Sequence, residues 1–411
     1  MMTRRVFMKN GGLALVSLGF APAFVARTVQ AAQPRKKALV AIFQRGAVDG
    51  LNMVVPFGEQ AYYAARPSIA IPRPNVADGA VDLNGFFGLH PRMAPLAPFF
   101  KRGELAIVHA CGSPDETRSH FDAQDYMESG TPGNKGTRDG WMNRYLHAKE
   151  HAAASPFRAV ALASSLPRSL QGTEPALAIN QINQFGIRAG RNSDMVQSTF
   201  EDEYAAAADA LLHKTGGEAF NAVKMLKDVN TATYAPAGNA QYPNSAFGGA
   251  LKQIAQLIKS DLGLEVAFTE LTGWDTHVQQ GNSTGQLANR LDDFAKSIAA
   301  FGTDMGEQMA DIVLVTMSEF GRAVQENGNR GTDHGHGNAM FILGGPVQGG
   351  KVYGTWPGLE VGQRWEGRDL AITTDFRDVF SEIVSGHLGA TDVSKIFPGH
   401  ATKGPLGFLR A

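Results

Sequence analysis

The sequence has almost no cysteine, no excess of one charge sign and no long apolar run in its body. Its 411 residues include a single cysteine, Cys111, which excludes an intramolecular disulfide and a cysteine-rich metal site. The 38 lysines and arginines are balanced by 39 aspartates and glutamates, so no basic field exists to attract nucleic acid. After residue 31 no stretch approaches about 18 apolar residues, so we expect a chain that does not span a membrane.

The first 31 residues have the pattern of a twin-arginine export signal. Arg4 and Arg5 precede an apolar run over residues 11–26, and Val29 and Ala31 offer small side chains for cleavage. The run contains Pro22 and is shorter than the roughly 20 residues that a membrane-spanning helix needs. A buried helix or an uncleaved anchor is the alternative. We predict a signal peptide over 1–31 and a periplasmic protein.

The rest of the chain alternates apolar runs with amphipathic patterns. The runs predict buried strands over 38–43, 105–110, 157–163, 265–271, 312–317 and 339–343. The amphipathic patterns predict helices over 199–213, from Asn244 or Ser245 onward, over 287–301 and over 376–387. This alternation predicts an α/β protein with a largely parallel sheet, in one domain over 32–411. Residues 150–245 are poor in strand patterns and predict a helical insertion or cap.

Aspartates and histidines follow several of the predicted strands. In an open α/β sheet, ligands bind beyond the carboxyl ends of the strands. Asp and neutral His suit Zn, Mn or Fe, so these residues predict a metal site, with a hydrogen-bonded cluster lacking metal as the alternative. Asp275 and His277 would face the same way in an extended chain, and Asp49 could bridge two metals. The predicted ligands are Asp49, Asp275, His277, Asp333, His334 and His336.

Ser119 opens a segment that resembles a helix start after the second predicted strand. Its hydroxyl either caps that helix or faces the metals as a nucleophile, and these roles are compatible. Thr117 is the second candidate nucleophile, and Arg118 could bind an anionic oxygen of the substrate. Glu319 and Arg322 form either a loop ion pair or a support for the site.

Several motifs follow one another along the chain and carry a resemblance to a known family. They are Asp49-Gly50-Leu51-Asn52, Arg118-Ser119-His120-Phe121-Asp122-Ala123-Gln124, Gly273-Trp274-Asp275-Thr276-His277, Glu319-Phe320-Gly321-Arg322 and Asp333-His334-Gly335-His336-Gly337. Together with the export signal they resemble an exported bacterial family, the domain-of-unknown-function family 1501. That family is similar to the alkaline phosphatase-like superfamily of sulfatases, phosphatases and phosphomutases. The resemblance implies a three-layer α/β sandwich with a largely parallel central sheet.

The resemblance also implies roles for individual residues. It makes Asp49 a first-strand metal ligand and places Ser119 at the nucleophile's helix start. Each of two metals would take one Asp and His pair, Asp275 with His277 and Asp333 with His334. The formylglycine motif of sulfatases is absent, because Asp115 and Glu116 break the run that begins at Cys111.

These features together predict a periplasmic, metal-dependent hydrolase of a small anionic ester, either a phosphate or a sulfate. Zn is the expected metal, with Mn, Mg or Ca as alternatives. The competing hypothesis is a catalytically degenerate member of the superfamily that binds or assembles with another exported protein. Metal content separates the two, because the hydrolase requires bound metal and the degenerate protein does not.

Overall fold

The computed structural model describes residues 36–149, 155–184, 225 and 234–410. The described residues from Lys37 onward form one unit by their contacts. The predicted signal peptide and the predicted helix at 199–213 lie outside the described residues, as does most of the predicted insertion at 150–245. These remain predictions.

The described strands include all six that the apolar runs predict. They are β1 (Ala38–Arg45), β2 (Val54–Val55), β3 (Val81–Asp82), β4 (Gly88–Leu89), β5 (Leu105–Gly112), β6 (Ala159–Leu162), β7 (Leu177–Ala178), β8 (Val266–Thr272), β9 (Ile312–Met317), β10 (Asn338–Gly344), β11 (Val352–Tyr353) and β12 (Thr374–Asp375). The α-helices among the described residues are α1 (Gly50–Met53), α2 (Gln60–Ala65), α3 (Ala97–Lys101), α4 (His120–Ser129), α5 (Trp141–Ala148), α6 (Ala246–Lys259), α7 (Gln286–Met305), α8 (Phe376–Glu382) and α9 (Val393–Ile396).

The central sheet has the strand order β11-β5-β10-β9-β1-β8-β6-β7, and β12 also pairs with β5. Strand β10 runs antiparallel to both of its neighbours, whereas the remaining pairs in this sheet are parallel. Strands β2, β4 and β3 form a small separate antiparallel sheet. The prediction of an α/β fold with a largely parallel sheet is therefore confirmed.

The side chains of β1 alternate between two hydrophobic cores on opposite faces of the sheet. Val40 and Ile42 join the core that includes residues of α6 and α7. Leu39 and Phe43 join the other core, with residues of α5, α8 and α9. Both faces are covered by helices, which explains why β1 is a continuous apolar run rather than an alternating one.

Two features of the helical layer were readable from the sequence. Ser245 caps α6 as expected, because its hydroxyl accepts a hydrogen bond from the backbone N–H of Gly248 at 2.9 Å. The apolar face of α7 is fully buried at Leu287, Leu291 and Phe294.

Among the described residues, none of the helices has both the length and the apolar character needed to cross a bilayer.

The reversal of β10 determines where the polar motifs meet. Because this strand runs opposite to its neighbours, its first residue lies at the edge where the parallel strands end. The segment 333–337, which precedes β10, therefore meets the loops that follow β1, β5, β8 and β9. Every motif with candidate chemistry lies at this one edge.

Candidate metal centre

Three side chains from three different loops bring donor atoms together at the carboxyl edge of the sheet. His120 begins α4 after β5, Asp275 follows β8, and His334 precedes β10. One donor atom from each lies within 4.8 Å of the others. His277 stands beside this group, with its Nε2 atom 3.0 Å from Asp275 Oδ1 and 3.0 Å from His334 Nε2.

The hydrogen bonds made by the Nδ1 atoms of His120 and His334 indicate where each ring carries its proton. His334 Nδ1 lies 2.9 Å from the backbone oxygen of Arg118, and His120 Nδ1 lies 2.9 Å from Glu319 Oε1. Because both partners only accept, we assign the Nδ1–H tautomer to each neutral ring. Each Nε2 atom then presents a lone pair, yet the two Nε2 atoms are 3.0 Å apart. Two lone pairs at that distance require a proton or a cation between them.

The same arrangement fits a metal site. Rings that bind metals almost always donate their other N–H to a carboxylate or a backbone carbonyl, as His120 and His334 do. Donor atoms bound tetrahedrally to Zn²⁺ at about 2.0–2.1 Å lie about 3.3 Å apart. Here His334 Nε2 is 3.2 Å from Asp275 Oδ1, and His120 Nε2 is 3.5 Å from Asp275 Oδ2.

Arg322 holds the carboxylate of Asp275 in its ionised form. Its side chain is buried, donates to Asp275 Oδ1, and also donates to the carbonyl oxygens of Ala47 at 2.7 Å and Thr332 at 3.0 Å. Burial alone would raise the pKa of Asp275, but the charge and hydrogen bond of Arg322 bring it below its usual value. Arg322 therefore pairs with Asp275 and not with Glu319, so of the two roles that the sequence left open the contacts favour support of the site over a loop ion pair.

Glu319 is a buried acceptor that orients His120. Its Oε1 atom receives hydrogen bonds from His120, from Gln124 Nε2 at 2.8 Å and from the backbone N–H of Gly46 at 2.7 Å. Burial would raise the pKa of Glu319, but these donors lower it overall. The hydrogen bond that His120 donates to Glu319 in turn raises the pKa of His120, while burial lowers the pKa of His334.

Asp333 and His336, both expected as ligands, take other positions. Asp333 Oδ1 lies 3.2 Å from His277 Nδ1 and accepts a hydrogen bond from Asn327 Nδ2 at 3.0 Å, so it orients His277. His336 stacks on Trp365, with the ring centroids 4.3 Å apart. Burial lowers the pKa of His336 to about 4.

Asp49, expected to bridge two metals, lies in a buried ion pair instead. Its Oδ2 atom accepts from Arg66 Nη1 at 2.6 Å and from Gln280 Nε2 at 2.7 Å, and both side chains of the ion pair are fully buried. Arg66 also donates to Asn52 Oδ1 at 2.7 Å and to the backbone oxygen of Val324 at 2.8 Å. The guanidinium supplies the counter-charge that this buried carboxylate needs.

The three candidate catalytic residues lie next to His120 and differ in their contacts. Ser119 occupies the N-cap position of α4, but its side chain makes no capping hydrogen bond. Thr117 Oγ1 accepts from the backbone N–H of Ser119 at 3.2 Å. The Arg118 guanidinium pairs with Asp369 at 2.8 Å and with Glu366 at 2.7 Å, so carboxylates already occupy it.

His120 is the candidate ligand that sequence reasoning missed. It was visible as part of the motif that follows the second predicted strand, at the edge where ligands were expected. The sequence analysis assigned the functional role in this motif to the neighbouring Ser119. The signal that pointed to His120 was a histidine at the first position of a helix that follows a strand of the parallel sheet.

The comparisons with known proteins agree with the family suggested by the motifs. A family model described as "Protein of unknown function (DUF1501)" matches residues 36–383. The chain belongs to this family. A search of curated proteins found no match.

Two solved structures show a distant likeness to this DUF1501 protein. A crystal structure of the PsFucS1 sulfatase from Pseudoalteromonas sp. is 11% identical, with a TM-score of 0.37, covering 93% of this chain and 74% of the sulfatase. The PH0037 protein from Pyrococcus horikoshii is 10% identical, with a TM-score of 0.26, covering 75% of this chain and 86% of that protein.

Proposed function

We propose that this protein is a metal-dependent hydrolase of phosphate or sulfate esters, exported to the periplasm. The observation that carries the proposal is the meeting of His120, His334 and Asp275 donor atoms, with both rings oriented by acceptors on their far sides. A bound divalent metal supplies Lewis-acid polarisation of an ester oxygen and a lowered pKa for water. An alkaline phosphatase-like relationship is part of the proposal, supported by the α/β sheet with its site at the carboxyl edge.

The donor set favours a transition metal over Mg²⁺ or Ca²⁺. His120, His334 and the adjacent His277 offer imidazole nitrogen, which suits Zn, whereas Mg²⁺ and Ca²⁺ take oxygen ligands. The geometry supports a single metal, because Asp49 is held by Arg66 and Asp333 by Asn327. We therefore propose one zinc ion per chain.

Ser119 is the proposed attacking group. It lies between Arg118, whose backbone oxygen orients His334, and His120 itself. Its hydroxyl makes no capping bond, so no helix contact has to be broken before it acts. The N-terminus of the ten-residue helix α4 adds a partial positive charge beside it, which favours an anionic ester.

A degenerate, non-catalytic protein is the second candidate, and the Asp49–Arg66 ion pair favours it. If hydrolysis in an ancestral site needed two metals, a guanidinium in place of one of them would abolish hydrolysis. The protein would then keep only a role in binding or assembling with another exported protein. The two candidates differ in whether bound metal turns over an ester.

The test is elemental analysis followed by an ester screen on the same purified protein. The hydrolase proposal expects about one zinc per chain and hydrolysis of an aryl phosphate or aryl sulfate. His334→Ala should lose both, and His147→Ala, an exposed histidine away from the site, should lose neither. Metal-replete protein that hydrolyses no ester would favour the second candidate. Export is tested by replacing Arg4 and Arg5 with lysine, which should retain the precursor in the cytoplasm.

A further inference from the structure

The arginines close to the metal centre are nearly all neutralised by carboxylates. Arg45 pairs with Glu128 at 2.9 Å and with Glu270, Arg118 pairs with Asp369, and Arg322 pairs with Asp275. These guanidinium groups therefore have no spare charge for a substrate. In particular, the anion-binding role that the sequence suggested for Arg118 is taken by its protein partners.

Arg290, on the second turn of α7, is different. Within the described part of the chain it has no carboxylate within ion-pair distance, and its single hydrogen bond runs from Nη1 to the backbone oxygen of Thr272 at 3.3 Å. Its Nε atom is buried and has no acceptor. A buried N–H without an acceptor is costly, and the remaining donors of this half-buried guanidinium are open to a ligand.

The position of the guanidinium places it beside the metal centre. Residues 273–277 follow β8 with alternating burial: Gly273, Asp275 and His277 face outward, while Trp274 and Thr276 are buried. An ideal Cβ on Gly273 would lie 2.5 Å from the guanidinium carbon of Arg290. Arg290 thus occupies the side-chain position of residue 273, two residues before Asp275 and four before His277.

The spacing suits a small ligand that touches both groups. Gly273 and Asp275 are two residues apart, so their Cα atoms lie at most about 7 Å from each other, and the guanidinium packs against the first of them. A tetrahedral oxyanion with its hydrogen bonds spans a distance of this order. Gly273 is required here twice, because its φ of +89° disfavours any side chain and because a Cβ would displace the guanidinium.

We propose that Arg290 binds the tetrahedral oxyanion of the substrate, a phosphate or sulfate group, next to the metal centre. The planar fork of N–H groups matches two oxygens of such an anion, which a lysine ammonium would not do. This inference rests on the proposed function for the identity of the substrate. It makes Arg290 the residue that selects anionic esters over neutral ones.

The test measures binding of inorganic phosphate and of sulfate by calorimetry to zinc-loaded protein whose metal content is measured. Arg290→Met keeps the apolar stem over Gly273 and removes the charge, and Arg290→Gln is a second variant should the first not fold. Each should bind the anion at least about tenfold more weakly than wild type, with unchanged zinc content. Arg102→Met is the matched control, because Arg102 lies before β5 at the opposite edge of the sheet and pairs with Glu104.

The outcomes separate this inference from the proposed function. Loss of binding for one anion alone would support the inference and identify that oxyanion as the ligand. Wild-type protein that binds the anion through Arg290 but hydrolyses no ester would refute the hydrolase and leave the inference intact. The inference is overturned if wild type binds neither anion, or if a folded variant at position 290 binds both as wild type does.

Discussion

His120 Nε2 and His334 Nε2 face each other at 3.0 Å, while the Nδ1 atom of each ring faces an acceptor. Neutral rings in that arrangement repel each other through their lone pairs. A proton or a metal cation between the two nitrogens would remove this repulsion. His277 Nε2 approaches His334 Nε2 at the same distance. One proton can link one pair of rings, whereas one metal ion can bind all of these nitrogens together with Asp275.

Glu319→Gln tests whether the hydrogen bond between His120 Nδ1 and Glu319 controls metal binding. The amide keeps the shape of Glu319 but removes the charge that holds the Nδ1–H tautomer of His120. We expect zinc affinity to fall about 10- to 100-fold, with the fold retained. Competition with a chromophoric chelator measures the affinity. Glu307→Gln removes the same charge at an exposed position and should change nothing; equal zinc affinity in both variants would contradict the role of Glu319.

The sheet strands and main helices were predictable because their signals are local. An apolar run such as Ile312–Met317 is bounded by polar residues, and Ser245 carries the chemistry of a cap. The direction of β10 was not predictable, because an apolar run reads the same in both directions. That direction decides that His334 meets His120 at one edge of the sheet.

The fate of Asp49 was unpredictable for a related reason. Its partner Arg66 lies 17 residues further on, in a segment with no visible motif, and a sequence gives no sign that this arginine turns inward. A buried carboxylate needs a compensating charge, and either a metal or a guanidinium satisfies that need. Only the three-dimensional packing shows that the Arg66 guanidinium reaches Asp49.

Asp49→Asn should therefore destabilise the protein without removing metal. The substitution leaves the Arg66 guanidinium buried without a counter-charge, which costs about 3–5 kcal/mol of unfolding free energy when such pairs are broken. Urea denaturation gives the stability, and elemental analysis gives the zinc content, which should stay at the wild-type level. Loss of zinc with an unchanged denaturation midpoint would instead make Asp49 a ligand.

His109 predicts a loss of stability in mild acid that does not depend on the metal centre. Its ring is buried, with Nε2 3.1 Å from the backbone oxygen of Val54, while Nδ1 accepts from the backbone N–H of Ala110 at 2.8 Å. Burial lowers its pKa to about 4. A second proton would have to sit on Nδ1, directly against the N–H of Ala110, so the folded state resists protonation.

The sign of the effect follows from which state binds the proton. Between about pH 6.5 and about pH 4 the unfolded chain protonates this histidine and the folded chain does not, so stability falls as the pH falls. The slope is about 1.4 kcal/mol per pH unit for one such group, or roughly 2 kcal/mol between pH 7 and pH 5. His109→Gln should flatten the measured slope by up to that amount in urea titrations of metal-free protein. A slope identical to that of wild type would show that His109 is protonated in the folded state.

Ser119→Ala decides which oxygen attacks the ester. Because the Ser119 hydroxyl makes no capping bond, removing it should cost less than the roughly 1 kcal/mol typical of a lost N-cap, and zinc content should remain normal. If Ser119 forms a covalent intermediate, turnover of an aryl phosphate or sulfate should fall by several orders of magnitude.

Thr117→Val is the matched control for that loop. It removes a hydroxyl that accepts the backbone N–H of Ser119, so it should lower stability modestly and leave most of the turnover. The reverse pattern, with turnover lost in Thr117→Val and kept in Ser119→Ala, would assign the attack to Thr117. Wild-type turnover in both folded, zinc-replete variants would assign it to water, because no protein hydroxyl would then be required for the bond to the phosphorus or sulfur atom.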